Sequence, residues 1–167
     1  QTAGAHAGII GLSTFNVANA VLSGPAGRTG DWLLLHVQGE ALTLASIVEK
    51  ETALPADRGK VAGVFVNRLR IGMPLQTDPT VIYGLGERFD GNLRRRDLLA
   101  DTPYNTYTRQ GLPPAPIAMP GQASLDAAVR PDPTKALYFV ARGDGSSEFS
   151  DDLGAHNRAV ARYQARR

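Results

Sequence analysis

The 167-residue chain is 43% hydrophobic and 20% charged, which suits one globular domain, or a domain with an appendage, and excludes a disordered or fibrous protein. Its formal charge is only +2, and its one basic run, Arg94-Arg95-Arg96, has no interleaved aromatics on which bases could stack, so nucleic acid is not an expected partner. The absence of cysteine removes disulfides and thiolate metal sites, and no stretch reaches the ~18 apolar residues of a membrane span.

Residues 1–40 differ in texture from the rest, being rich in Gly, Ala, Ser and Thr. The run from Ile9 to Leu22 is broken by Ser13, Thr14, Asn16 and Asn19, and Ser23-Gly24-Pro25-Ala26-Gly27 with Thr29-Gly30 predicts a loop. Trp32 to Val37 fits a buried strand or a helix start equally. One helix is expected from about Ala41 to Ala53, ending before Pro55, and a second from about Ala56 to Leu69, closed by Gly72. A polar loop from Met73 to Thr80 leads into the apolar run Val81-Ile82-Tyr83. Arg94 to Leu99 is expected to make one or two helical turns. Residues 102–121 carry five prolines and predict a long irregular loop, a feature more often functional than not. A short helix at Ser124 to Val129 follows. Then come a strand at Ala136 to Ala141, a turn at Gly143-Asp144-Gly145, a returning strand at Glu148-Phe149, and a final helix capped within Ser150-Asp151-Asp152 and running through Arg162. The expected fold is α+β: helices around a small antiparallel sheet, with the proline-rich loop over the site.

Leu44, Ile47, Val48 and Glu51 recur at i, i+3, i+4, i+7, which places a carboxylate on an apolar helical face. Such an acid finds a partner or stays protonated near neutral pH, the state a glycosidase uses to protonate a leaving oxygen. Glu49 rotates toward solvent and is the fallback. The alternative for Glu51 is a structural pair with an arginine. His6, His36 and His156 lack metal-ligand spacing, no Gly-x-Ser-x-Gly elbow is present, and Gly84-Leu85-Gly86 is no phosphate loop, so no metal or organic cofactor is expected. Asn67, Gln76, Asp78, Thr80, Tyr104, Asn105 and Tyr107 gather the amides, hydroxyls and aromatic faces that a sugar site needs. Each also has a bland reading as a turn starter or loop brace. His156 is read as structural: between Leu153 and Val160 on one helical face, it would hold the last helix through buried hydrogen bonds.

Several longer motifs carry a resemblance. Leu44 to Thr52, Val64-Phe65-Val66-Asn67-Arg68-Leu69, Gly72 to Gly84, Tyr104-Asn105-Thr106-Tyr107, Gly111-Leu112-Pro113-Pro114 with Pro116-Ile117, Leu137-Tyr138-Phe139-Val140 and His156-Asn157 occur in the order found in YceG-like endolytic murein transglycosylases. The chain resembles that family over residues 42–163. The resemblance implies a catalytic domain at 41–167, preceded by a segment of unassigned role at 1–40. It implies Glu51 as the acid, since Glu51-Thr52 is similar to the Glu-Ser pair of lytic transglycosylases. Residues Asn67, Gln76, Asp78, Thr80, Tyr104, Asn105 and Tyr107 would bind substrate. Replacing Tyr104 or Asn105 would then weaken glycan processing more than folding. Peptidoglycan strands are the implied partner, with peptidoglycan synthases as candidate protein partners. The implied location is the periplasmic face of the bacterial inner membrane, with any anchor in a longer parent chain. Ser147, where the family often has histidine, and Met119 depart from its pattern. A glycan-binding domain without turnover, and a pyridoxal-phosphate lyase of aminodeoxychorismate using Lys50, Lys60 or Lys135, are the alternatives.

Overall fold

The computed structural model describes the backbone of residues 30–164 and the side chains of residues 39–164. The expectations for Ile9 to Leu22, for the loop at Ser23 to Thr29, and for the side chains of His6 and His36 lie outside the described residues. Six α-helices and one two-stranded sheet are present among the described residues: α1 (Gly30–Glu51), α2 (Pro55–Arg70), α3 (Asp78–Leu85), α4 (Arg95–Leu99), α5 (Gln122–Val129), β1 (Tyr138–Ala141), β2 (Ser147–Ser150) and α6 (Leu153–Gln164). The fold is α+β. Helix α1 runs without a break across residue 40, so Trp32 to Val37 is helical backbone and the helix starts well before Ala41.

Local chemistry sets the element ends. Pro55 opens α2 after an extended Leu54, because a proline supplies helical φ where its missing N–H costs nothing. Gly72, at φ +68°, takes the chain out of α2. Asp152 caps α6, its Oδ1 accepting the Ala155 N–H at 2.8 Å, whereas Ser150 belongs to β2. The polar loop expected to reach Thr80 is shorter than its sequence suggests, because Asp78-Pro79 starts α3 and Val81, Ile82 and Tyr83 lie inside that helix.

The core lies between α1, α2 and α5. Leu44, Ile47 and Val48 meet Val61, Phe65 and Val66, with Leu75, Ile117, Ala127 and Ala128 closing the sides. Strands β1 and β2 pair antiparallel, with Phe139 opposite Phe149, and Phe139 meets Phe65 edge to face at 5.9 Å. That contact fastens the sheet to α2. Approach is closest at Gly63, where any Cβ would stand 2.7 Å from the Asp132 carbonyl oxygen. Two side chains of α2 then hold the segment entering β1: Asn67 Nδ2 donates to the carbonyls of Thr134 (2.8 Å) and Ala136 (3.1 Å), and Arg68 Nε donates to that of Leu137 (2.7 Å). These bonds satisfy backbone carbonyls that no neighbouring strand reaches.

Candidate active site

Glu51 is the last residue of α1 and emerges from the buried stripe formed by Leu44, Ile47 and Val48. It is half-buried. Desolvation, reinforced by the nearby Asp78 carboxylate, pushes its pKa above the ordinary carboxylate value, against the opposing pull of a Thr77 hydrogen bond and the Arg68 guanidinium. Thr77 Oγ1 donates to Glu51 Oε1. The second oxygen, Oε2, accepts no hydrogen bond from any described residue and is not sealed from solvent. A carboxyl held by one oxygen and open at the other, in surroundings that favour its protonated form, can act as a general acid.

Glu49, one residue pair earlier on the same helix, has the opposite surroundings. Its Oε2 accepts the Ser124 hydroxyl at 2.6 Å and the Gly121 N–H at 3.1 Å. The Ser124 bond foremost, then the Gly121 bond, lowers its pKa below the ordinary value. Glu49 is thus an ionised cap on the N-terminus of α5, supplied from another helix. Glu49→Ala is expected to lower stability by about 1–2 kcal/mol, visible as a fall in melting temperature, with turnover per folded molecule retained. Lost turnover at an unchanged melting temperature would return Glu49 to the acid's role.

The other predicted site residues divide into two groups. Gln76 adjoins Thr77, Asp78 and Tyr107 lie within electrostatic reach of Glu51, and Tyr104 packs against the core. Gln76 is exposed and is the one non-glycine described residue with positive φ, +49°. Its N–H donates to the Thr106 carbonyl at 3.1 Å. The Tyr107 hydroxyl donates to Asp78 Oδ1 at 2.5 Å. Burial, more than the Asp78 contact, raises the Tyr107 pKa above its usual value, so the phenol stays protonated and remains a donor. Tyr104 leans on Tyr83 at 4.8 Å between ring centroids.

Asn67, Thr80 and Asn105 are engaged by groups of the protein itself. The Asn67 amide is committed to the Thr134 and Ala136 carbonyls. Thr80, fully buried, donates to the Thr77 carbonyl. Asn105 is 0% exposed, its Nδ2 donating to the carbonyls of Ala100 (2.7 Å) and Leu98 (3.0 Å) while its Oδ1 accepts the Tyr107 N–H at 2.8 Å. These side chains brace backbone, and Asn105 lies in the interior and not, as expected, at the surface of its proline-rich loop.

Sequence reasoning assigned no role to Thr77 or Arg68. A threonine before Asp-Pro reads as an N-cap, yet Thr77 makes no side-chain cap bond, which frees its hydroxyl for Glu51. Arg68 was legible by the signal that marked Glu51, a charge at helical spacing on a buried face. Only 7% exposed, it donates through Nη1 to the Leu75 carbonyl at 2.7 Å and lies over the Tyr138 ring at 5.3 Å. His156 stacks on the same tyrosine at 5.1 Å. Desolvation first, then the Arg68 charge, holds His156 below its ordinary pKa, and its buried Nδ1 has no hydrogen-bond partner. Its structural role therefore rests on ring stacking and not on the buried hydrogen bonds expected, and Leu153 is exposed. His156→Ala is expected to cost about 0.5–1.5 kcal/mol, read by denaturant unfolding; a cost above about 3 kcal/mol would contradict this account. Of the two departures from the family pattern, Met119 is 92% exposed, and Ser147 presents its N–H to Asp57 Oδ2 at 2.7 Å.

The YceG-like family model matches residues 27–162. The endolytic murein transglycosylase of Bacillus subtilis (strain 168) is 50% identical over 122 residues, covering 73% of this chain and 34% of that protein. The protein of the same description from Streptococcus pneumoniae serotype 2 is 36% identical over 129 residues, covering 74% of this chain and 23% of its own length. This chain thus spans about a third or less of these relatives. The 2.6 Å crystal structure of a YceG-like protein from Listeria monocytogenes superposes with a TM-score of 0.68 at 42% identity, over 79% of this chain and 43% of that one. With a family model across most of its length, a fold match, and the acid-bearing helix followed by the Gln-Thr-Asp-Pro-Thr segment, the chain belongs to the YceG-like family.

Proposed function

We propose that this chain is the catalytic portion of an endolytic peptidoglycan lytic transglycosylase that cuts the β-1,4 bond between N-acetylmuramic acid and N-acetylglucosamine. The carrying observation is Glu51: a carboxyl raised above its ordinary pKa, tethered by Thr77 at Oε1 and open at Oε2. In the first step Glu51 gives its proton to the glycosidic oxygen as the C1–O bond breaks and its electron pair leaves with that oxygen. An oxocarbenium-like centre forms at C1. The Glu51 carboxylate then takes the proton of the muramic C6 hydroxyl, whose oxygen attacks C1 and closes a 1,6-anhydro ring. The nucleophile belongs to the substrate, so effective molarity replaces an activated water. Arg68, within electrostatic reach of Glu51, stabilises the carboxylate between the two steps. Asp78 favours the protonated acid at rest.

In this reading Gln76, Asp78, Tyr104 and Tyr107 contact the sugars, while Asn67, Thr80 and Asn105 hold the elements that present them. The catalytic unit comprises residues 41–167 and the turns of α1 that precede them. No helix of the described residues is long and apolar enough to cross a membrane. The reading includes action at the periplasmic face of the inner membrane, on nascent strands whose length the enzyme limits, with peptidoglycan synthases nearby. The relatives' names and the Glu51 surroundings support the reading. Mass spectrometry of peptidoglycan strands incubated with the chain tests it: 1,6-anhydro-muramyl ends are expected. Reducing ends, or intact strands bound but not cut, would replace it with a hydrolase or a glycan-binding domain.

A further inference from the structure

We propose that Thr77, held at its N–H by Thr106 and at its carbonyl by Thr80, is a positioning residue whose hydroxyl assigns the reactive proton of Glu51 to Oε2. This rests on the transglycosylase reading for its chemistry but not for its geometry. Thr77, Thr80 and Thr106 are all at most 2% exposed, so their hydroxyl hydrogens must find acceptors within the protein. Thr80 Oγ1 lies 2.8 Å from the Thr77 carbonyl, which can only accept, so the single Thr80 hydrogen goes there. Thr106 Oγ1, 2.8 Å from Thr80 Oγ1, must then be the donor in that pair. Its own acceptor site takes the Thr77 N–H at 3.1 Å. The loop is closed, and Thr77 is held by its N–H and its carbonyl alike.

One hydroxyl remains, that of Thr77, and its acceptor is Glu51 Oε1. The reverse bond, with the acid donating to Thr77, would leave the Thr77 hydrogen buried with nothing to receive it. Oε1 is therefore an acceptor in both protonation states, and the acid proton resides on Oε2, the oxygen with no described partner. The leaving oxygen of the substrate must approach that side. The fully buried Leu75 and the bond from the Gln76 N–H to the Thr106 carbonyl fix the extended segment that carries Thr77, so the assignment persists without substrate.

The charged and titratable groups facing Glu51 are Arg68 from α2, Asp78 from α3 and Tyr107 from the loop before α5. Thr77 acts with Arg68 in favouring the carboxylate and against desolvation and Asp78. Removing its hydroxyl must therefore move the Glu51 midpoint to higher pH, the opposite of what a simple loss of burial would do.

Carboxyl-13C NMR titration of the whole chain reads this directly, with the Glu51 signal identified by its loss in Glu51→Gln. Thr77→Val is expected to shift the midpoint to higher pH, and Thr77→Ser to restore the wild-type titration. On glycan strands, Thr77→Val is expected to lower kcat by about 10–100-fold with KM little changed, while the basic limb of the pH profile moves upward. If Thr77→Val does not fold, Thr77→Ala carries the same expectation. Coincident midpoints for a folded valine or alanine variant and the wild type would overturn the proposal, as would failure of serine to restore the titration. Since the titration needs no turnover, a shifted midpoint in a chain that makes no anhydro ends would sink the transglycosylase reading alone.

Discussion

Glu51→Gln is expected to fold like the wild type and to lose about 10²–10⁴-fold of its glycan-cleaving rate. The amide matches the carboxyl in volume, and its carbonyl can still accept from the Thr77 hydroxyl, but it has no proton to transfer. Stability should respond in the other direction. Because the folded-state pKa of Glu51 is raised, mainly by desolvation, the folded chain binds more protons than the unfolded one between the two pKa values. The contribution of Glu51 is fully present below the unfolded pKa and is lost as pH rises through the folded one. Glutamine carries no such loss, so the variant's melting temperature should gain on the wild type as pH rises through that window. Mass spectrometry of anhydro ends and melting curves at a series of pH values check the two parts. Near-wild-type turnover would remove Glu51 from the chemistry.

Asn105→Ala should produce the largest loss of stability among the changes considered, roughly 3 kcal/mol from about 1 kcal/mol for each stranded group. The fully buried amide donates to the carbonyls of Leu98 and Ala100, at and just beyond the C-terminal end of α4, and accepts the Tyr107 N–H. Alanine would leave those groups without partners where water does not reach. Thermal unfolding should show the drop, with turnover falling as the folded fraction falls. An unchanged melting temperature with abolished turnover would make Asn105 a glycan contact after all.

The contrast between these two residues shows what was legible in the sequence. Glu51 could be found because helical periodicity is a local pattern, and a charge on an apolar stripe stands out against it. The same regularity placed α1, α2 and the β1–β2 hairpin, each with familiar punctuation at Pro55, Gly72 and Gly143-Asp144-Gly145. Asn105 could not be sorted, since within an irregular loop no period separates an inward side chain from an outward one. Its burial follows from carbonyls five to seven residues earlier that happen to lack partners. Thr77 was hidden for a related reason: its significance lies in Glu51 and Thr106, each more than 25 residues away. The role of Glu49 likewise required knowing that α5 returns to α1.

The backbone at Gln76 has a consequence for recognition. Its neighbours Leu75 and Thr77 are both immersed in the protein, one among the apolar side chains and the other against Glu51, and the chain passes between them through a left-handed bend at φ +49°. For a residue with a side chain that bend costs about 1 kcal/mol, and it is sustained by the burial on either side. The backbone from which the outward amide springs is thereby fixed, while the exposed side chain keeps its own rotamer freedom. For a ligand arriving there, the backbone share of the ordering cost was met during folding, and only the side chain is left to settle.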